Sequence, residues 1–481
     1  MNDILLDAGR NPQLRKAFAA LGLPIALPQD LSRPQQPWDE RPLHGRDLIV
    51  AAPVQTELSK TLAMAIAQMG ANPYVVAYDD SSITPFIAPG EAFGRPPVAL
   101  APGAALESVS RPGGLVFDAT GLETVASLEQ LYAFFHAHVR NLDRCGRAIV
   151  IARPPEDGGS LEAGVVSRAL EGFVRSLGKE IGRRGSTSQL VFVAAGAEAR
   201  LEAVLRFLLS DQSAFISGQV LRVSDQVQAS KPRWVRPLEG KTALVTGAAR
   251  GIGAATAKKL AMEGCQVLVL DRPQDDGPAS QIAQAIGSPA PLLFDITDPD
   301  TPAALSREIK ELFGGVDIVV HNAGITRDKT LGRMKPDFWN QAIDVNLGAV
   351  IRITNALIGD GVIRDKGRLI CLTSIAGIAG NVGQTNYATA KAGLLEVVRR
   401  YGEQLAGRGI SANAIAPGFI ETRMTQAIPA VTREAGRRLS SLSQGGLPED
   451  VANAITFLAS PGSDGLNGQV IRVCGGNFLG A

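Results

Sequence analysis

A series of short, nearly uninterrupted apolar runs alternates with amphipathic stretches along the second half of this chain, and that alternation restricts the fold more than any other feature. KTALVTG and QVLVLD are rich in β-branched residues, and AATAKKLAMEG between them has helical spacing and a terminal glycine. VDIVVHNAG, GRLICLTS and ISANAIAPG continue the strand series. Strands that are apolar along their whole length must be covered on both faces. The pattern therefore predicts a parallel sheet between helical layers, a doubly wound α/β fold.

The first half carries a weaker copy. RDLIVAAPVQTELSKTLAMAIAQMGANPYVV lines up with KTALVTGAARGIGAATAKKLAMEGCQVLVL as strand, turn, helix, strand. LRFLLSDQSAFISGQVLRV at 205–223 overlays ITFLASPGSDGLNGQVIRV at 455–473 with a constant offset of 250. Agreement at both ends of the unit points to internal duplication, and 481 residues suffice for two large domains. The polar, proline-containing segment 224–240 separates the halves. The expected organisation is an N-terminal arm at 1–46, irregular over its Pro- and charge-rich part 27–46, then two doubly wound, Rossmann-like domains. The first, at 47–230, reads as degenerate and flavodoxin-like; the second occupies 231–481. The Pro- and Gly-rich stretch 84–114 suits a loop-rich connection better than a helix.

Composition removes several classes of function. Forty-eight basic residues against forty-seven acidic ones leave a net charge of +1, which gives no broad attraction for nucleic acid or an anionic membrane. No run of eighteen apolar residues occurs, and the N-terminus MNDILLDAGRNPQLRK has charges where a signal peptide needs an apolar stretch. Cys145, Cys265, Cys371 and Cys474 are far apart with no Cys-x-x-Cys pair, so neither a disulfide framework nor a metal site is expected. A cytoplasmic enzyme without nucleic-acid or membrane partners is the class that remains. His136 and His138, two apart on a helix, face different ways and read as surface residues rather than a metal pair.

Gly247-Ala-Ala-Arg250-Gly251-Ile252-Gly253 follows the run TALVT and opens a helix. Glycines there permit a tight turn and bring backbone N–H groups to a pyrophosphate at the helix N-terminus, a dinucleotide cradle. The next strand ends at Asp271, 24 residues beyond Gly247. An acid at that place accepts both ribose hydroxyls of adenosine and repels a 2′-phosphate, which favours NADH. Arg250 and Arg272 are near enough in sequence to leave NADPH open. Asp295, ending a third run in LLFDITD, is a candidate for the adenine amino group, or else a turn cap.

Tyr387 and Lys391 are four apart, one turn along the same helix face. An ammonium near a phenol favours phenolate, which suits proton exchange near neutral pH. Ser374 lies thirteen residues before Tyr387 at the end of RLICLTS, where a doubly wound sheet faces its crevice and a hydroxyl can bond a substrate carbonyl. Asn346, polar within an apolar stretch, either anchors a water leading to Lys391 or is a helix amide bonded to backbone.

With these motifs in order, TGAARGIG, Asp295, Asn322-Ala323-Gly324, Asn346, Ser374, Tyr387/Lys391 and Pro417-Gly418, the chain over about 238–481 resembles the short-chain dehydrogenase/reductase family. GNVGQTNYATAKAGL and NAIAPGFIETRMT look most like its bacterial 3-oxoacyl-acyl-carrier-protein reductases, and a degenerate front domain resembles their high-molecular-weight form. The resemblance implies Tyr387 as proton donor, Ser374 as carbonyl orienter, Lys391 as tuner of the phenol and ribose holder, and Asn346 as relay anchor. It implies cofactor contacts from Gly247, Arg250, Gly251, Ile252, Gly253, Asp271, Asp295, Ile296, Asn322, Ala323, Gly324, Tyr387, Lys391, Pro417, Gly418, Ile420 and Thr422. It further implies a homo-oligomer, a dimer favoured, with the long helices around 346–359 and 387–406 at the interface. His321 departs from the family pattern, which usually has a second Asn before Asn-Ala-Gly; no catalytic role is assigned to it.

The expected activity is NAD(P)H-dependent reduction of a 3-oxoacyl thioester on acyl carrier protein or CoA. Other secondary alcohols or ketones, such as a polyol, a steroid or a short acyl-CoA, stay open as substrates, and so does a nucleotide-binding scaffold without turnover. Docking an acidic carrier protein needs basic side chains beside the site, for which Arg364, Lys366 and Arg408 are the candidates. In the front half the glycine positions correspond to Ala52 and Thr56, Tyr387 to Ala163 and Lys391 to Ser167, so that half is expected to be non-catalytic.

Overall fold

The computed structural model describes residues 3–20, 27–104, 111–426 and 428–477. The chain divides into two compact units, each built on a seven-stranded, all-parallel sheet. In the first, β1 (Asp47–Ala51), β2 (Asn72–Val76), β3 (Val98–Leu100), β4 (Gly114–Asp118), β5 (Arg147–Ala152), β6 (Thr187–Val193) and β7 (Gln219–Val223) lie in the order β3-β2-β1-β4-β5-β6-β7. In the second, β8 (Thr242–Thr246), β9 (Gln266–Asp271), β10 (Leu292–Leu293), β11 (Val316–His321), β12 (Ile363–Leu372), β13 (Ser411–Pro417) and β14 (Val470–Val473) repeat that order strand for strand. This is the Rossmann order 3-2-1-4-5-6 extended by one strand. It narrows the flavodoxin-like reading of the front half, since flavodoxins run 2-1-3-4-5.

The central strands are buried from end to end, as their largely apolar runs require: every residue of β4, β5, β6, β8, β11 and β13 is buried. The second core gathers Leu244, Val319, Leu369 and Ala414 from the sheet with Ile353 and Leu357 from the helix Ala349–Gly359 and Leu394 and Val398 from the helix Thr385–Leu405. The helical run Pro336–Gly359 is long and apolar enough to cross a membrane by composition, yet its Ala349, Val350, Ile353 and Leu357 belong to this core.

The two units repeat down to individual hydrogen bonds. Ser213 donates to Leu208 O and Ser210 O, and Ser463 donates to Leu458 O and Ser460 O, each pair 250 apart. Gln189 binds the backbone at Ile216 and Gln219; Asn413 binds it at Leu466 and Gln469. The helices Leu161–Ile181 and Thr385–Leu405 coincide at both ends with an offset of 224.

Three sequence expectations are corrected. A helix, Thr84–Ala92, and the short strand β3 occupy part of the stretch read as loop. Pro85 falls in the helix's first turn, where its missing N–H would have had no partner, and burial of Phe86 pulls the segment onto the core. A single domain cut at 230/231 misses an excursion, because Ala430–Gly445 and residues 475–477 belong to the first unit. Arg438 there pairs with Asp3, Gln444 donates to Gln29 O and Gly475 donates to Phe215 O. Finally, His136 is exposed but His138 is buried against Phe134, ring centroids 5.3 Å apart, with Nε2 unpartnered.

Burial holds the His138 imidazole below its usual pKa. It stays neutral in the folded unit while the unfolded chain takes up a proton below about pH 6.5, so its stabilising contribution is present above that pH and lost as pH falls. The melting temperature of His138→Leu is expected to drop less than the wild type's between pH 7 and 5. Parallel pH curves for the two proteins would remove His138 from the acid response.

Candidate active site

The C-terminal ends of β8, β9, β11, β12 and β13 bring the candidate residues to one edge of the second sheet. The turn after β8 can be built only with glycine at two places. Gly247 has φ +64°, and a Cβ on it would lie 2.9 Å from Ala323 Cα; one on Gly253 would lie 2.2 Å from Gly247 O. Gly251, φ +56°, faces open space, with nothing nearer than Thr422 Cγ2 at 3.9 Å. The helix Gly251–Met262 has Arg250 as N-cap with no side-chain cap, so its first-turn N–H groups, at the positive end of the dipole, are available to an anion. Ile252 is half-buried beside them. The donors, the open backbone and the helix end together fit a dinucleotide pyrophosphate.

Thr246 and Asn322 clamp this turn to β11. Thr246 Oγ1 accepts from Asn322 N at 3.1 Å and Ala323 N at 3.0 Å, while Asn322 Nδ2 donates to Thr246 O at 2.9 Å and Gly247 O at 3.0 Å. The Asn322 amide thus acts on the cradle from inside the protein. Thr246 was given no role from sequence, where a strand-end threonine looks like any other.

Asp271 is held by two backbone donors, Ala249 N at 2.8 Å and Arg272 N at 2.9 Å. Asp295 lies two residues past β10, exposed, with Oδ1 accepting from Thr297 N and Oγ1 in a tight turn that keeps it below the usual carboxylate range; the turn-cap reading is realised there. Ile296, next to it, is buried.

Ser374 caps the short helix Ile375–Ala379, accepting from Ala376 N at 3.1 Å, and its hydroxyl lies near enough to the Tyr387 phenol to draw the phenol's pKa down. Lys391 is 3% exposed, and its Nζ donates to Leu372 O at 2.6 Å while lying 5.7 Å from the Tyr387 ring centroid. Burial lowers its pKa to about 8. The expectation that this ammonium depresses the phenol is corrected: burial pushes Tyr387 above its ordinary value, Ser374 pulls it partly back, and the charge of Asp328 raises it further. The phenol is therefore a protonated acid at neutral pH.

Asn346 sits in one π-helical turn, Asp344–Gly348, and is wholly buried. Its Nδ2 donates to Ile325 O and Ala342 O, and its Oδ1 accepts from Ile325 N. It binds the helix to the loop after β11, the backbone-bonded alternative of the sequence reading. Asn346 Oδ1 and Lys391 Nζ both border Gly324, where a Cβ would be 2.6 Å and 3.4 Å from them. Asn386 was missed: buried beside Tyr387, it donates to Arg327 O and Phe338 O and accepts from Tyr387 N, holding the loop that faces the phenol. Pro417 ends β13, Gly418 N donates to Val473 O, Ile420 is buried, and Thr422 is half-buried and bonded to Thr425.

Residues 247–477 match the family model described as enoyl-(acyl carrier protein) reductase. The 3-oxoacyl-[acyl-carrier-protein] reductase FabG of Thermotoga maritima is 41% identical over 242 residues, 98% of that protein and 50% of this chain. Those of Vibrio harveyi and Escherichia coli K12 are 41% and 40% identical over 99% and 98% of their lengths, again 50% of this chain. This chain belongs to the short-chain dehydrogenase/reductase family. It is an oxidoreductase, and the family implies a nicotinamide cofactor.

In the first unit the equivalent places carry different chemistry. Ala51 replaces the clamp threonine, Ala52 is buried where Gly247 turns, and Ser59 Oγ accepts from Thr56 N at the start of the helix Glu57–Gln68. Val116 pairs with Val50 as Val320 pairs with Val245, so Asp118 takes the place of Asn322. That carboxyl is buried, bonded to Thr120 and Ser59, and its pKa is raised by desolvation. A carboxyl there lacks the amide donors with which Asn322 holds the Gly247 turn. Arg153 stands six residues after Arg147 as Ser374 stands six after Arg368, and Ser167, in place of Lys391, donates to its carbonyl. Calorimetric titration with NADH should give one site per chain; two sites would show that the front unit has kept a cradle.

Proposed function

We propose that this chain reduces the 3-keto group of a 3-oxoacyl thioester, with NADH as the favoured cofactor. The observation that carries the reading is the Ser374–Tyr387 hydroxyl pair at the strand ends, with the buried Lys391 ammonium behind it. Two neighbouring O–H groups suit a carbonyl oxygen, and the similarity to 3-oxoacyl-[acyl-carrier-protein] reductases supports the substrate class.

The hydride would come from a reduced nicotinamide held by the cradle. Ser374 donates a hydrogen bond to the substrate carbonyl and fixes its direction, and Tyr387 transfers its proton to the oxygen as negative charge develops there. Because burial keeps the phenol protonated, it enters the reductive reaction already loaded. Lys391 stabilises the phenolate left behind, and both hydroxyls act as preorganised donors to the oxyanion. Gly247, Arg250, Gly251, Ile252 and Gly253 would hold the pyrophosphate, Asp271 the adenosine ribose and Asp295 with Ile296 the adenine. Ala323, Gly324, Pro417, Gly418, Ile420 and Thr422 would line the nicotinamide side.

The basic residues expected beside the site are elsewhere. Arg364 and Lys366 lie in the irregular stretch that opens β12 before Arg368, at the opposite end of the strand from Ser374. Arg364 binds Asp317 and Phe313 O, and Arg408 binds Asp365 and Ile363 O, so both brace the far end of the sheet. The loop after β11 offers an alternative: Lys329, Arg333 and Lys335 are exposed, and Lys329 N donates to Gly383 O beside the Tyr387 helix. An acidic carrier protein would meet these three.

With NADH and acetoacetyl-CoA, Tyr387→Phe is expected to lose at least about 1,000-fold in kcat, with NADH binding retained. Crotonyl-CoA should not be reduced; turnover of crotonyl-CoA in preference to acetoacetyl-CoA would move the reading to enoyl reduction. The pair Arg333→Glu and Lys335→Glu should raise KM for acetoacetyl-acyl carrier protein about tenfold more than for the CoA ester. Equal effects on both would remove the loop as a carrier dock.

A further inference from the structure

Two arginines beside the adenosine end of the cradle, Arg250 and Arg272, are each about half exposed and have the chemistry to take a phosphate. Both are already engaged by one carboxylate. Asp275 Oδ1 accepts from Arg250 Nη2, and Asp275 Oδ2 accepts from Arg272 Nε at 3.1 Å and Nη2 at 2.7 Å. Its side chain is only 10% exposed. The turn Pro273–Asp275 is fixed by Asp275 N donating to Arg272 O at 2.9 Å. Four residues earlier, Asp271 is pinned by Ala249 N and Arg272 N. Two cations and two anions thus alternate where the ribose would lie.

We propose that Asp275 is a specificity-determining residue: it holds the guanidiniums of Arg250 and Arg272 together and so denies them to a ribose 2′-phosphate. The inference rests on the cofactor reading above and adds to it. Asp271 alone disfavours a 2′-phosphate by repulsion, but an unpaired arginine on either side would offset that repulsion with a charge-assisted bond. With Asp275 in place, pairing either arginine with the phosphate means breaking an ion pair whose carboxylate is largely buried and leaving that carboxylate with one counterion instead of two. Asp271 sets the preference by what it repels, and Asp275 sets it by what it withholds.

The test uses binding of two cofactor fragments to the full chain, ADP and adenosine 2′,5′-bisphosphate, followed by calorimetry. In Asp275→Asn the ratio of bisphosphate affinity to ADP affinity should rise at least about tenfold over wild type. Adding Arg250→Ala and Arg272→Ala to that variant should reverse the gain. The NADPH to NADH ratio of kcat/KM should move in the same direction. If Asp275→Asn binds ADP and the affinity ratio is unchanged, or if the gain survives loss of both arginines, the role of Asp275 is overturned while the cofactor reading stands. If the wild-type chain binds neither ADP nor NADH, the cofactor reading falls, and this inference falls with it.

Discussion

The clamp between Thr246 and the Asn322-Ala323 backbone is the interaction on which the second unit's site depends. Four hydrogen bonds join the ends of two adjacent central strands, and they do so where the chain must turn through Gly247 to start a helix. They extend the β8–β11 pairing, which ends at Val245 and Val320, into the glycine turn, and the loop beyond β11 also carries Gly324, Ile325 and Arg327 to Asn346, Lys391 and Asn386. Cofactor cradle and proton donor are therefore positioned by one strand-end junction. Side chains that never touch a substrate set the distance between those that would.

In the first unit that junction has changed while the scaffold has stayed. Its strand order, its serine bonds at the last helix and the lengths of its long helices match the second unit. These features stabilise a doubly wound sheet whatever it does. What has gone lies at the strand ends and on the long helix beside them: Asp118 for Asn322, Ala52 for Gly247, Arg153 for Ser374, Ala163 for Tyr387 and Ser167 for Lys391. A buried carboxyl with hydroxyl partners fills the anion end of the first helix from within the protein. Folding and chemistry draw on separate residues, so a duplicate can lose one and keep the other.

That separation also explains what was legible in the sequence. Strands such as TALVT and IVVH declare themselves because a strand buried on both faces is mostly apolar, its polar residues being admitted only with hydrogen-bond partners such as those of Gln189 and Asn413. The glycine turn and Tyr387/Lys391 are legible because their chemistry is local in sequence. Asn386 and Thr246 were not, since each acts on backbone far along the chain, Asn386 on Phe338 and Thr246 on Asn322. The helix Thr84–Ala92 was hidden by its prolines, Pro85 in the first turn and Pro89 in the interior, and His138 by a helix whose buried face extends farther than its neighbours suggest. Arg364, Lys366 and Arg408 were placed at the wrong end of the sheet because composition reveals a segment but not which edge it reaches.

His321, the departure from the family pattern, is informative for the electrostatics of the proton donor. It is buried at the end of β11, bonded through Nε2 to Thr354 Oγ1 at 2.9 Å, and close enough to Lys391 to feel its charge. A second cation there would raise the cost of keeping Lys391 protonated in a site with little water. Burial, aided by Lys391 itself, instead holds the imidazole pKa at about 4. Cys371, paired with His321 across β11 and β12, is pushed up to about 12 and is a neutral thiol. Both neighbours thus remain uncharged across the neutral range, and the Lys391 ammonium is the one charge among these three buried groups. A histidine can replace an asparagine here because the same desolvation that raises Tyr387 removes the proton that would have competed with it.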